Sequence, residues 1–119
     1  MAADGTLTPV SSSVPTMQTA ACWIALTGNG RYGFAANTGS GSVTQYTVGT
    51  DGTLGFVGNT PLSGPAASAI DLTFSRQGRF LYVLDQANDQ IDGFRLEADG
   101  SLVWVGAAGG AVGVGLAAF

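Results

Sequence analysis

A short motif that returns at a fixed interval constrains this chain more than any other feature. Asp4-Gly5-Thr6-Leu7 recurs as Asp51-Gly52-Thr53-Leu54 and again as Asp99-Gly100-Ser101-Leu102, at steps of 47 and 48 residues. Other landmarks keep the 48-residue step: Gly30-Arg31-Tyr32 with Gly78-Arg79-Phe80, Asn37 with Asp85, and Tyr46-Thr47-Val48 with Phe94-Arg95-Leu96. A period of this size marks one supersecondary unit that buries its apolar surface by stacking on its neighbours.

Each period reads as four short strands. In the first they are Cys22 to Thr27, Arg31 to Asn37, Ser42 to Val48, and Leu54 to about Asn59; in the second, Ile70 to Ser75, Arg79 to Asp85, Gln90 to Leu96, and Leu102 to Gly106. Asn29-Gly30 and Asp51-Gly52 supply the positive φ that tight hairpin turns need, so successive strands are expected to be antiparallel neighbours. The second strands are apolar on both parities. Tyr32, Phe34 and Ala36 alternate with Gly33 and Ala35, and Phe80, Tyr82 and Leu84 alternate with Leu81 and Val83. Alternate side chains point to opposite faces, so both faces of each sheet are meant to be covered. Four antiparallel strands per repeat with two covered faces describe a β-propeller blade. An immunoglobulin-like sandwich is the alternative, but its strands do not repeat in sequence.

The expected fold is therefore all-β: two complete four-stranded meander blades plus one extra strand at each end. Residues 1–13 would hold the last strand of a preceding blade (Leu7 to Ser13), 21–59 blade one, 69–106 blade two, and 107–119 a linker and a following first strand (Val112 to Phe119). Propellers close with about four to eight blades, so two blades leave two bare faces, each covering roughly 350 Å² in projection. Three resolutions follow: a piece of a longer propeller, a self-assembling ring of several chains, or a marginal monomer.

Composition narrows the chemistry. Eight acids against four arginines and no lysine give a net charge of −4, which offers no electrostatic footprint for nucleic acid or an anionic membrane. There is no His, and the single Cys22 excludes an intramolecular disulfide and a thiolate metal cluster. No metal or cofactor is expected. The start, Met1-Ala2-Ala3-Asp4, lacks the basic and apolar regions of a signal peptide, so a cytoplasmic location is expected.

Three stretches carry a family resemblance: 22–32 (CWIALTGNGRY), 36–43 (ANTGSGSV) and 50–54 (TDGTL) resemble blades of the lactonase-family seven-bladed propellers, and 75–83 (SRQGRFLYV) repeats the motif. That family includes the propeller-type bacterial 6-phosphogluconolactonase and the fungal carboxymuconate lactonising enzyme. The ending, 113–119 (GVGLAAF), resembles a family C-terminus, and the resemblance implies that the chain is the last third of such a propeller. The resemblance implies a parent that hydrolyses a sugar lactone such as 6-phosphogluconolactone. The family's proposed catalytic groups are His, Arg and Glu residues around the channel; no position here matches them, so no catalytic residue carries over and the chain alone is expected to be inactive. The alternative is a noncatalytic propeller module that self-assembles or binds a ligand, its partners being other blades or a small sugar lactone. A third reading is an active ring of several copies.

In a propeller the first strand of each blade lines the channel, and one rim would gather residues 16–21, 37–41, 66–69 and 85–89. Asp71 stands one repeat after Trp23 near the rim end of a channel strand, where a carboxylate can serve as general base or cap backbone amides. Trp23 can stack on a sugar ring or pack between blades. Gln18, Asn37, Asp85 and Asn88 are rim candidates for ligand contact, the structural alternative being bonds to turn backbone. Arg31 and Arg79 share the opposite rim with Asp51 and Asp99, where inter-turn ion pairs are expected. Cys22 is expected to pack as a small apolar residue.

Overall fold

A computed structural model describes residues 2–110 and 113–118. Eight strands make two four-stranded antiparallel meanders. Blade one is β1 (Ala21–Leu26), β2 (Tyr32–Asn37), β3 (Ser42–Val48) and β4 (Leu54–Pro61); blade two is β5 (Ala69–Phe74), β6 (Phe80–Asp85), β7 (Gln90–Leu96) and β8 (Leu102–Gly109). A short 3-10 turn, Gln86–Asn88, joins β6 to β7.

The repeat is reproduced bond for bond. At the first hairpins the Thr27 amide donates to Tyr32 O at 2.9 Å and the Ser75 amide to Phe80 O at 2.8 Å; Gly30 and Gly78 take φ of +68° and +70°. In the Asp-Gly turns the Gly49 amide donates to Thr53 O and the Glu97 amide to Ser101 O, with Gly52 and Gly100 at φ +88° and +83°. Bulges also fall one repeat apart, between Ala21 and Trp23 and between Ala69 and Asp71, then between Gln45 and Tyr46 and between Gly93 and Phe94.

The core lies between the blades. Phe34, Ala36 and Val43 of blade one bury against Leu72, Leu81, Val83 and Phe94 of blade two, and the Phe34 and Phe74 rings meet edge to face at 5.7 Å. Each large side chain removed from water here contributes about 1.5–3 kcal/mol. β2 and β6 are buried on both parities, as expected of middle strands in a stacked sheet.

Two expectations are corrected. Neither end forms an extra strand: among the described residues Leu7–Ser13 and Gly113–Ala118 carry no ladder, while Val112 and Phe119 of the expected last strand lie outside them. A strand is held by its partner, and the third or second strand each would pair with is not in this sequence. The N-terminal segment lies across blade one instead: Ser11 Oγ accepts from the Leu54 amide (3.2 Å), Val14 O from the Tyr46 hydroxyl (3.3 Å) and Thr16 O from the Thr44 hydroxyl (3.4 Å). The linker between the blades does the same for blade two, so that Thr38 N to Ala20 O (2.8 Å) and Gln86 N to Ser68 O (3.0 Å) are one bond seen twice. The second correction concerns Arg31 and Arg79, which form no ion pair with Asp51 or Asp99; among the described residues the salt bridge is Arg95–Glu97 at 2.6 Å.

The turn carboxylates are occupied locally. Asp51 accepts the Thr53 amide at 3.0 Å and hydroxyl at 2.7 Å, and Asp99 accepts the Ser101 amide at 2.9 Å and hydroxyl at 2.6 Å. Backbone and side-chain hydrogen bonds from Thr53 hold Asp51 below the ordinary 3.8, and side-chain and backbone bonds from Ser101 do so for Asp99. A lowered carboxylate pKa gives stability that is present above 3.8 and is lost as pH falls through the lowered value. Replacing both by Asn keeps an acceptor in each turn and removes the titration, so the acid limb of a pH–stability curve should become shallower below that pH. Gly100→Ala should destabilise by about 2 kcal/mol in urea unfolding, because a left-handed φ is combined with a Cβ placed 2.5 Å from the Tyr32 ring and 2.6 Å from Gln45 Nε2. Gly5→Ala, at φ +85° with nothing within 4 Å, should cost no more than about 1 kcal/mol.

Candidate functional site

Blade stacking sets β1 beside β5, the two first strands that would edge a channel. β1 presents Ala21, Cys22, Trp23, Ile24, Ala25 and Leu26, with Thr73 and Asp71 the polar side chains of β5. Trp23 is 55% exposed and borders a shallow hollow of ≈ 370 Å³ with Cys22, Ile24 and Ala35. Cys22 is exposed, not packed as expected, because the face it would pack against is bare.

Asp71 is buried, and both carboxylate oxygens are taken by backbone amides: Leu72 N–H donates to Oδ1 and Leu116 N–H to Oδ2, each at 2.7 Å. The bond to Leu116 pins the C-terminal segment to blade two. Asp71 therefore has the capping geometry that was the alternative to a general base.

Rim residues fall into two separate clusters. In blade one, Asn37 Nδ2 donates to Ser42 O (3.3 Å), Ser42 Oγ (3.1 Å) and Thr44 Oγ1 (2.8 Å), while the Ser42 hydroxyl donates to Gln18 Oε1 at 3.1 Å. Gln18 and Asn37 are thus joined through Ser42. Asn37 Oδ1 is buried with no partner among the described residues. In blade two, Asp85 is fully buried and accepts the Ser68 amide (2.8 Å) and Asn88 Nδ2 (2.7 Å), and Asn88 also donates to Pro65 O. Trp23 and Asp71 belong to neither cluster. The rim itself is knit across the blades by the Thr38 hydroxyl donating to Ala69 O at 2.9 Å.

Asp92 is the polar centre that sequence reasoning missed. It is fully buried in β7: Oδ1 accepts the Ser63 hydroxyl (2.5 Å), the Ser63 amide (3.3 Å) and Trp104 Nε1 (2.8 Å), and Oδ2 accepts Gln90 Nε2 (3.0 Å). Its position one repeat after Thr44 was a usable signal, since an acid there replaces a hydroxyl at an equivalent strand site. Four donors and no cation make it a clamp joining the linker, β7 and β8. No group of three or more His, Cys, Asp or Glu among the described residues is arranged to hold a metal ion.

Two stacked four-stranded meanders with strictly repeated turns are consecutive blades of a β-propeller. The family described as Lactonase, 7-bladed beta-propeller matches residues 2–114, and the chain belongs to it. Among solved structures, the periplasmic gluconolactonase of Pseudomonas aeruginosa is 26% identical, with a TM-score of 0.68 over 73% of this chain and 26% of that one. A Bacteroides uniformis protein assigned as a 6-phosphogluconolactonase is 25% identical, with a TM-score of 0.65 over 71% and 25%. A protein of unknown function from Desulfotomaculum acetoxidans is 22% identical, with a TM-score of 0.76 over 88% and 32%, which speaks for the fold alone. The chain spans about a quarter to a third of the length of these propellers. No curated protein matches it.

Asp92→Ala should cost about 1–2 kcal/mol of stability in denaturant unfolding, because the Ser63, Gln90 and Trp104 side chains lose a shared, fully buried acceptor, although Ser63 and Trp104 are exposed enough to turn to water. Asp71→Ala should instead leave the blades' melting nearly unchanged and accelerate hydrogen exchange at the Leu116 amide, which loses its acceptor.

Proposed function

We propose that the chain is a two-blade portion of a lactonase-type propeller whose complete ring hydrolyses a sugar lactone such as 6-phosphogluconolactone, and that it does not catalyse this reaction alone. Family membership and the gluconolactonase among its structural relatives support the reaction class. The observation that carries the inactivity is the commitment of Asp71. Lactone hydrolysis needs a base to draw a proton from water and donors for the oxyanion that forms at the carbonyl. The acid on the two channel strands has both oxygens engaged by amides, and the chain has no His to take its place.

A second reading, a noncatalytic module that self-assembles or holds a ligand, is favoured by the apolar surface at the chain's two open faces. Ile24 and Leu26 are each 57% exposed on β1, and Val103 and Val105 are exposed on β8.

Hydrolysis of gluconolactone and 6-phosphogluconolactone by the purified chain is expected to equal the buffer rate, and to stay there in Asp71→Ala. Turnover by the chain that Asp71→Ala abolishes would overturn the inactive reading and make Asp71 the base.

A further inference from the structure

The two open faces of this chain are one repeat apart from the two faces that it buries. Blade one's buried face offers Phe34, Ala36 and Val43; the same positions of blade two are Tyr82, Leu84 and Ile91, on its outward face. The face that receives them within the chain is Leu72, Leu81, Val83 and Phe94; the same positions of blade one are Ile24, Gly33, Ala35 and Tyr46. Ile24 is 57% exposed where Leu72 is 2% exposed, whereas Ala35, Tyr46 and Leu84 are already buried within the chain.

We infer that blade two of one copy packs on blade one of a second copy, head to tail, and that the C-terminal segment must leave blade two for this contact to form. The inference rests on the two-blade reading but not on its chemistry. Size points to a second copy as the occupant. On the projecting side each position gains bulk, Phe to Tyr, Ala to Leu and Val to Ile; on the receiving side Leu81 gives way to Gly33 and Val83 to Ala35. The bulk added on one open face is taken from the other, as a close-packed interface requires.

The outer part of blade one's open face is already dressed correctly. The segment from Ser11 to Ala20 lies on β3 and the rim as the interblade linker lies on β7, so it needs no rearrangement. Blade two's open face is different. There Leu116, Ala117 and Ala118 lie over Tyr82 and Ile91, bordering a hollow of ≈ 540 Å³. By the repeat, residues 113–118 stand where 17–22 of the docked copy must go. Segment 17–22 is held by four bonds to the rim and its edge, Thr38 N to Ala20 O, Gly39 N to Thr19 O, Thr19 N to Ser40 Oγ and Ser42 Oγ to Gln18 Oε1. The tail has the Asp71 bond, so the tail yields.

A face of roughly 350 Å² is below the usual ~800 Å² per partner, so association is weak and concentration-dependent. Sedimentation velocity over a concentration series tests it. Deleting residues 113–119 is expected to tighten association about tenfold, and Asp71→Ala, which cuts the tether with the tail in place, should act in the same direction. Ile24→Asp spoils only the receiving face and Ile91→Asp only the projecting one. Each variant alone should therefore be monomeric, and an equimolar mixture should form a heterodimer that grows no further, because its two remaining faces are both spoiled. A tail-deleted chain that stays monomeric throughout would overturn the inference and leave the face to a different polypeptide. So would a mixture that stays monomeric, or a single variant that associates like the parent. Turnover is not read here, so a failed lactone reading and a failed head-to-tail contact are separate results.

Discussion

Sheet-on-sheet packing is the interaction on which the rest of this structure depends. A four-stranded sheet with apolar side chains on both parities of its middle strands cannot bury both faces by itself, and each blade here relies on the other for one of them. The single interblade core of Phe34, Ala36, Val43, Leu72, Leu81, Val83 and Phe94 is the result. Everything outside that core is graded by distance from it: β5, flanked by blade one, is mostly buried, whereas β1, one repeat earlier and without a neighbour on its other side, is mostly exposed. In the first strands the same sequence position is core or surface according to whether a blade stands beside it, whereas Ala35, Tyr46 and Leu84 are buried without one.

That dependence explains what the sequence made legible. The turns were readable because Asn-Gly and Asp-Gly act through local backbone conformation, which needs no tertiary partner. The strand order and the double-sided burial of β2 and β6 followed from the repeat and from parity. β4 and β8 were read short, ending near Asn59 and Gly106, although the ladders run on to Pro61 and Gly109. The bulges opposite Gln45–Tyr46 and Gly93–Phe94 let each strand absorb one extra residue, Val57 and Val105, and continue. Leu7–Ser13 has a strand's pattern but no ladder partner, and pattern alone does not hold an extended segment in a sheet.

The polar residues were harder to read because their partners are far away in the chain. Asp92 draws its donors from Ser63, 29 residues before it, and from Trp104, 12 after it. Asp71 is bound by Leu116, 45 residues on. No spacing rule predicts these meetings; they follow from where the linker and tail come to lie on the sheets. Arg31 and Arg79 failed to find Asp51 and Asp99 for the opposite reason. A donor two residues away, already in the turn, competes successfully with an exposed guanidinium that must give up side-chain freedom to pair.

These polar commitments bear on how a propeller divides its labour. Asn37, Asp71, Asp85 and Asp92 spend hydrogen-bonding capacity on bracing: Asn37 on β3 of its own blade, Asp71 on the tail, and Asp85 and Asp92 on the interblade linker. A residue that both braced the backbone and activated water would have to surrender one set of bonds during the reaction, loosening the blade contact when the site must be rigid. Each blade contributes one strand to the channel, so two blades bring few side chains to it, and most of those here are apolar. On the proposed reading, the chemistry of a complete ring would fall to polar side chains on other first strands, free of bracing duty, with these two blades supplying packing.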